Sequence, residues 1–166
     1  MKRKYLILFS LSGLILCLDQ LTKVLVLRHL EDGARRDIVP HLIALTSKHN
    51  SGFAFGLLKA APPSLQEAFF IGIPVFALIL IVLIFIKLQD NQVPTSVALT
   101  TILAGAIGNL IDRLQFGYVV DFIEVHWGAH GGLPAFNVAD VSIIVGVVLM
   151  FINTLRQERN IVHESR

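Results

Sequence analysis

Apolar residues cluster along the chain in long runs separated by shorter polar stretches. A helix crosses about 30 Å of hydrocarbon in roughly 20 residues, and four stretches fit that length: 5–27, 68–88, 95–114 and 138–155. The second follows a Pro62-Pro63 break, and Ser64 with Glu67 has the spacing of a capping box. The third begins just after Pro94, where Thr95 is the expected N-cap, and Ala104, Gly105, Ala106 and Gly108 predict close approach to a neighbouring helix. The fourth opens at Asn137, placed to cap the backbone N–H of Asp140.

Two connections carry patterns of their own. The first, about residues 28–67, is too long for a plain connector. Within it "DIVPHLIALTSKHNSGFAFGLL" has short β-type runs on either side of a turn signal at Asn50-Ser51-Gly52, and Phe53, Phe55 and Leu57 alternate at period two. A small sheet on the membrane surface is predicted over about 36–58. The segment 121–136 holds Phe122, Trp127, Phe136, three glycines and Pro134, which predicts an interfacial flap or short helix between helices 3 and 4. The expected fold is an α-helical integral membrane protein, one membrane domain over residues 1–166, with four transmembrane helices and a small extracytoplasmic sheet.

Composition agrees. With 54% hydrophobic and 16% charged residues, and a mean hydropathy of +0.70, the chain is far more apolar than a soluble domain. A scattered net charge of +2 gives no footprint for nucleic acid. The single Cys17 supports neither a disulfide framework nor a cysteine-based zinc site. "MKRK" followed by "YLILFSLSGLILCL" resembles a cleaved signal peptide, but bulky Leu16 precedes the cysteine and the apolar run continues to Leu27, so a retained span is predicted. Lys2, Arg3 and Lys4 at one end and Arg156, Arg159 and Arg166 at the other place both termini in the cytoplasm. The first loop also carries Arg28, Arg35, Arg36, Lys48 and Lys59, although charges in a long loop weigh less.

Ionisable residues at membrane depth are functional candidates by default. Asp19 and Lys23 are four apart, the acid first, which suits an ion pair. Asp112 and Arg113 form a second expected local pair, with Asn109 one turn before Arg113. Asp121 and Asp140 have no basic residue three or four positions away, and both fall at the same outward boundary. Two neighbouring carboxylates share one proton and can serve as acid and base in one site. Asp140, in the first turn of its helix, is expected to hold the negative charge more often. His29, His41, His49, His126 and His130 show no zinc-binding spacing, so neither metal nor cofactor is expected. A proton-coupled carrier or a non-catalytic scaffold would also account for membrane-edge acids.

The segments "DQLTK" (19–23), "NSGFAFG" (50–56), "GNLIDR" (108–113), "VVDF" (119–122) and "FNVAD" (136–140), in that order on four spans, resemble lipoprotein signal peptidase, the bacterial signal peptidase II family. The resemblance implies an aspartic endopeptidase of the inner membrane with Asp121 and Asp140 as catalytic dyad. It further implies that Asn50, Gly52, Asn109, Arg113, Asn137 and Asp19 bind substrate or orient the dyad. Its substrate would be a diacylglyceryl-modified prolipoprotein, cut on the N-terminal side of the lipidated cysteine near the outer leaflet. Membrane lipid would be the other partner, and a cyclic lipopeptide such as globomycin an inhibitor.

Overall fold

The computed structural model describes residues 2–51, 62–127 and 131–164, with the side chains of 63, 64, 67 and 160–164 outside that description. The apolar runs form helices α1 (Arg3–His29), α2 (Pro63–Lys87), α3 (Val93–Phe116) and α4 (Val138–Glu164). All four are long and apolar enough to cross a membrane. The connections α1–α2 and α3–α4 form strands β1 (Arg35–Val39), β2 (Ile43–Asn50), β3 (Val119–Trp127) and β4 (Gly131–Gly132), antiparallel in the order β1-β2-β3-β4.

α3 is the central helix, because its side chains are small enough to let three neighbours close around it. A Cβ added to Gly105 would run into the Ala139 carbonyl oxygen and Ser142 Oγ of α4; one on Gly108 would sit 2.6 Å from Asp19 Oδ2 of α1. Gly146 of α4 meets Ala98 and Ile102 of α3 in the same way, so glycine on both helices brings the backbones together. Among the described elements, α2 neighbours α3 alone along its backbone, and it carries Pro74 at mid-length. Elsewhere the large apolar side chains point outward, as Leu14, Phe76, Ile79 and Phe151 do, the arrangement expected where lipid is the solvent.

At the end of the bundle that holds the N-terminus, buried Lys4 donates from Nζ to the carbonyls of Ile86 (2.8 Å) and Leu88 (2.6 Å). It thus supplies a cation to the C-terminus of α2, where the dipole and unpaired carbonyls favour one. Asp90 Oδ1 accepts the Lys4 backbone N–H in return (3.0 Å). That bond lowers the Asp90 carboxyl from its usual range, against the opposing effect of desolvation and with help from the Arg3 backbone N–H and the Lys2 and Lys4 charges.

Several expectations need correction. α2 starts at Pro63 with Pro62 as N-cap, so Ser64 lies inside the helix; the Ser64 and Glu67 side chains fall outside the described residues. α3 starts at Val93 with Gln92 as N-cap. Thr95 instead accepts from Asn153 Nδ2 of α4 at 2.7 Å. A turn not expected from the sequence lies at Pro40–Leu42 between β1 and β2, where His41 takes φ 63°. β2, irregular in register between Leu45 and Lys48, ends at Asn50, the start of the expected turn signal, and Gly52, Phe53, Phe55 and Leu57 fall outside the described residues. The expected flap between helices 3 and 4 is largely strand: β3 pairs with β2 from Val119 to Val125 and with β4 beyond. Its β-branched residues pair across the sheet, which a reading centred on Gly and Pro overlooks.

Candidate active site

Two elements of unlike type carry Asp121 and Asp140. α3 ends at Gly117 in the left-handed conformation (φ 76°), its N–H on the Arg113 carbonyl, and the chain turns there into β3, whose third residue is Asp121. Asp140 is the third residue of α4. Asn137 precedes that helix and caps it as expected: its Oδ1 accepts the Asp140 N–H (2.9 Å), and Asp140 Oδ2 accepts the Asn137 N–H (3.2 Å). This reciprocal arrangement fixes Asp140 in the first turn.

Two carboxamides join the carboxylates. Asn137 Nδ2 donates to Asp121 Oδ1 (2.8 Å), to Asn109 Oδ1 (3.1 Å) and to the Val120 carbonyl (3.3 Å). Asn109 Nδ2 donates to Asp140 Oδ1 (2.8 Å). Asn50, at the end of β2, donates from Nδ2 to Asp121 Oδ2 (2.9 Å). Asn137, Asn109 and Asp121 are all buried.

The surroundings keep Asp121 unlike an ordinary aspartate. Burial pushes its carboxyl up to about 6, with the Asp140 charge adding to the rise, while the bonds from Asn50 and Asn137 and the Lys23 charge work against it. At neutral pH this group lies close to the point where it can give or take a proton.

Of the remaining residues expected at the site, Asp19 is fully buried and accepts the Ala139 N–H at Oδ1 (2.9 Å). The expected pair with Lys23 is present (2.9 Å). The expected Asp112–Arg113 pair is not: Asp112 Oδ2 is 2.8 Å from Lys23 Nζ and accepts the Val120 N–H (3.1 Å). Arg113 instead lies over the Phe70 ring, 4.7 Å from its centroid, with Nε buried and unbonded, within electrostatic reach of Asp140, Asp112 and Asp121. Gly52 falls outside the described residues. Gln20, Lys23 and Asp112 are members of the cluster that were not named as site residues, although Lys23 and Asp112 are ionisable groups at membrane depth and all three lie in the segments DQLTK and GNLIDR. Among the described residues no group of three or more His, Cys, Asp or Glu is placed to hold a metal.

The sheet leads toward this cluster. Ile43 pairs with Val125 and Leu45 with Ile123, giving an apolar face that reaches Asp121 two residues further along β3. Glu124, between them, pairs with Lys48 (2.7 Å) and Arg35 (3.6 Å).

Comparison with known proteins settles the family. The family model described as signal peptidase (SPase) II matches residues 11–156. A lipoprotein signal peptidase of Geobacter metallireducens is 42% identical over 159 residues, 96% of either chain. One from Enterococcus faecalis is 35% identical, covering 96% of this chain and 94% of its own. A bacterial membrane enzyme solved by the in meso method at 1.9 Å resolution superposes with a TM-score of 0.77 at 34% identity, over 92% of both chains. Neither the carrier nor the scaffold reading finds support among these relatives. Four apolar helices, a pair of linked aspartates at one end of them and matches over almost the whole length lead to one conclusion: the chain belongs to the signal peptidase II family of membrane peptidases.

Proposed function

We propose that the protein removes the signal peptide from diacylglyceryl-modified prolipoproteins, with Asp121 and Asp140 as its catalytic dyad. The observation that carries this reading is the linkage of two membrane-edge carboxylates through Asn109 and Asn137, one of them held at about 6. Asp140, at a helix N-terminus, is the ionised partner and Asp121 the protonated one. Asp140 takes a proton from water as its oxygen attacks the scissile carbonyl carbon, and Asp121 gives its proton to the carbonyl oxygen. The tetrahedral intermediate then collapses: its C–N bond breaks, the proton on Asp140 passes to the leaving amine, and a hydroxyl proton returns to Asp121.

The other groups fit binding roles. Arg113, stacked on Phe70 and without a bond at Nε, and Asn50 hold substrate carbonyls, together with Gly52. The apolar face of the sheet lies along the extended peptide, and the exposed apolar flanks of the helices take the acyl chains. The chain works as one membrane domain of the bacterial inner membrane. Both termini lie in the cytoplasm and the dyad near the outer leaflet, where the lipidated cysteine sits. The same site would accept a cyclic lipopeptide such as globomycin.

Cleavage of a purified diacylglyceryl-modified prolipoprotein, by the wild type and by Asp121→Asn and Asp140→Asn, tests the proposal, with a chelator control. Cutting by the wild type, unaffected by chelator and abolished in each folded variant, supports it. A folded variant that still cuts near the wild-type rate removes the dyad.

A further inference from the structure

Beneath the two aspartates lies a second, symmetrical set of contacts. Asp19 Oδ1 holds the backbone N–H of Ala139, the residue immediately before Asp140 (2.9 Å). Asp112 Oδ2 holds the backbone N–H of Val120, the residue immediately before Asp121 (3.1 Å). Lys23 Nζ binds both anchors, Asp19 Oδ2 at 2.9 Å and Asp112 Oδ2 at 2.8 Å. Its third contact goes to Asn109 Oδ1 (3.1 Å), which turns the Nδ2 of that amide toward Asp140. Gln20 Nε2 closes the set from the side, on Asp19 Oδ2 and Asp112 Oδ1 (both 3.1 Å). Asp19, Lys23 and Asp112 are each no more than 2% exposed.

An ion pair serving only to neutralise itself needs one carboxylate and one cation. Here the cation holds two carboxylates, and each of them ends on the main chain next to a different member of the dyad. We propose that Asp19, Lys23 and Asp112 form a buried spacer that sets the separation of the Asp121 and Asp140 carboxyls, with Lys23 as its central positioning residue. Lys23 touches no reacting atom; it acts through the backbone of β3 and α4 and through the Asn109 amide. The inference rests on reading Asp121 and Asp140 as the dyad.

The spacer has a signature in the pH dependence. Two carboxyls held close lose their protons in widely separated steps, and the singly protonated pair is active over the interval between them. Letting them drift apart brings the two limbs of the pH–kcat curve together. Lys23→Met alone would leave two buried carboxylates facing each other, so the informative variant is Lys23→Met/Asp19→Asn. A cation and an anion are removed together, net charge is unchanged, and the carboxamide oxygen introduced by Asp19→Asn can still accept the Ala139 N–H.

The experiment measures kcat and KM for cleavage of a diacylglyceryl-modified prolipoprotein across pH, together with thermal unfolding, using the full chain in detergent. The expected result is a folded protein with KM unchanged, kcat lower by about 100-fold, as small misplacements of catalytic groups produce, and a narrower bell. A folded variant with kcat within about threefold of wild type and a bell of the same width overturns the spacer. If the double variant does not fold, Lys23→Arg, which keeps the charge but widens the gap between the two anchors, is read the same way: a narrowed bell supports the proposal and an unchanged one overturns it. Asp121→Asn and Asp140→Asn separate the two levels. If both are dead while the spacer variants behave as wild type, only the spacer fails; if both cut normally, the dyad itself is wrong.

Discussion

Asp121→Asn has a consequence for stability that can be worked out independently of catalysis. The Asp121 carboxyl titrates at about 6 in the fold against 3.8 when unperturbed, chiefly because it is buried. A folded-state value above the unfolded one means that the fold favours the protonated form. Its contribution is therefore complete below about pH 4 and is lost as pH rises through about 6. At about 1.36 kcal/mol per tenfold change in proton affinity, the full difference is at most about 3 kcal/mol, of which about 1–2 kcal/mol is expected once the site relaxes around the charge. An asparagine does not titrate and carries no such loss. It does present one amide N–H to either Asn50 or Asn137, both donors, which costs about 1 kcal/mol at every pH. That offset drops out when the comparison is made across pH. Thermal unfolding in detergent, followed through the single Trp127, should show wild type falling relative to Asp121→Asn between about pH 4 and 6.5, by roughly 3–6 °C, then running parallel to it. Curves that stay parallel throughout would mean that Asp121 is not held out of its usual range, and the argument from burial would fail.

Three further outcomes follow from the geometry. Gly105→Ala drives a Cβ into the Ala139 carbonyl and Ser142 Oγ and should lower stability by about 1–3 kcal/mol in a thermal melt, whereas Gly72→Ala, where the added carbon meets nothing within 4 Å, should not. Lys4→Met removes the cation that binds the α2 carboxyl-terminal carbonyls and should cost about 1–2 kcal/mol of stability while leaving cleavage below the melting range unchanged. Asn137→Ala removes the α4 cap and the bond to Asp121 together; it should lose about 1 kcal/mol of stability by melting and about 100-fold or more in kcat in the cleavage assay.

How far the sequence could be read depended on the range of the forces involved. The four spans were legible because hydrocarbon thickness imposes a length on apolar runs, and Asn137 because a helix cap binds only three residues away. Gly105 and Gly108 announced a close helix contact, while the matching Gly146 was not singled out. β3 was passed over because the Gly- and Pro-rich segment just beyond it suggested a flap, and its partner β2 lies far away in the chain. Asp112 shows the same limit. Arg113 beside it looked like the natural partner, but adjacent residues on a helix point in different directions, and the Asp112 side chain reaches Lys23 on another helix. Asp121 and Asp140 stood out because neither had a local counter-charge. The Asn109–Asn137 linkage and the contacts of Lys23 needed the fold.

The glycine contact between α3 and α4 bears on how the enzyme meets bilayers of different thickness. At Gly105 and Gly146 each helix comes up against the backbone of the other as well as against Ser142, Ile143 and Ile102, so there is no room for these side chains to re-pack as the helices slide. A thinner or thicker bilayer is then accommodated by tilt of the α3–α4 unit as a rigid body. Asp140 on α4 and Asp121 on β3, which follows α3 directly and is bonded to α4 through Asn137, keep their mutual geometry, and only their height relative to the lipid carbonyls changes. Membrane composition would then act on this enzyme as a height adjustment between blade and workpiece, visible in KM across lipids of graded chain length while kcat stays constant.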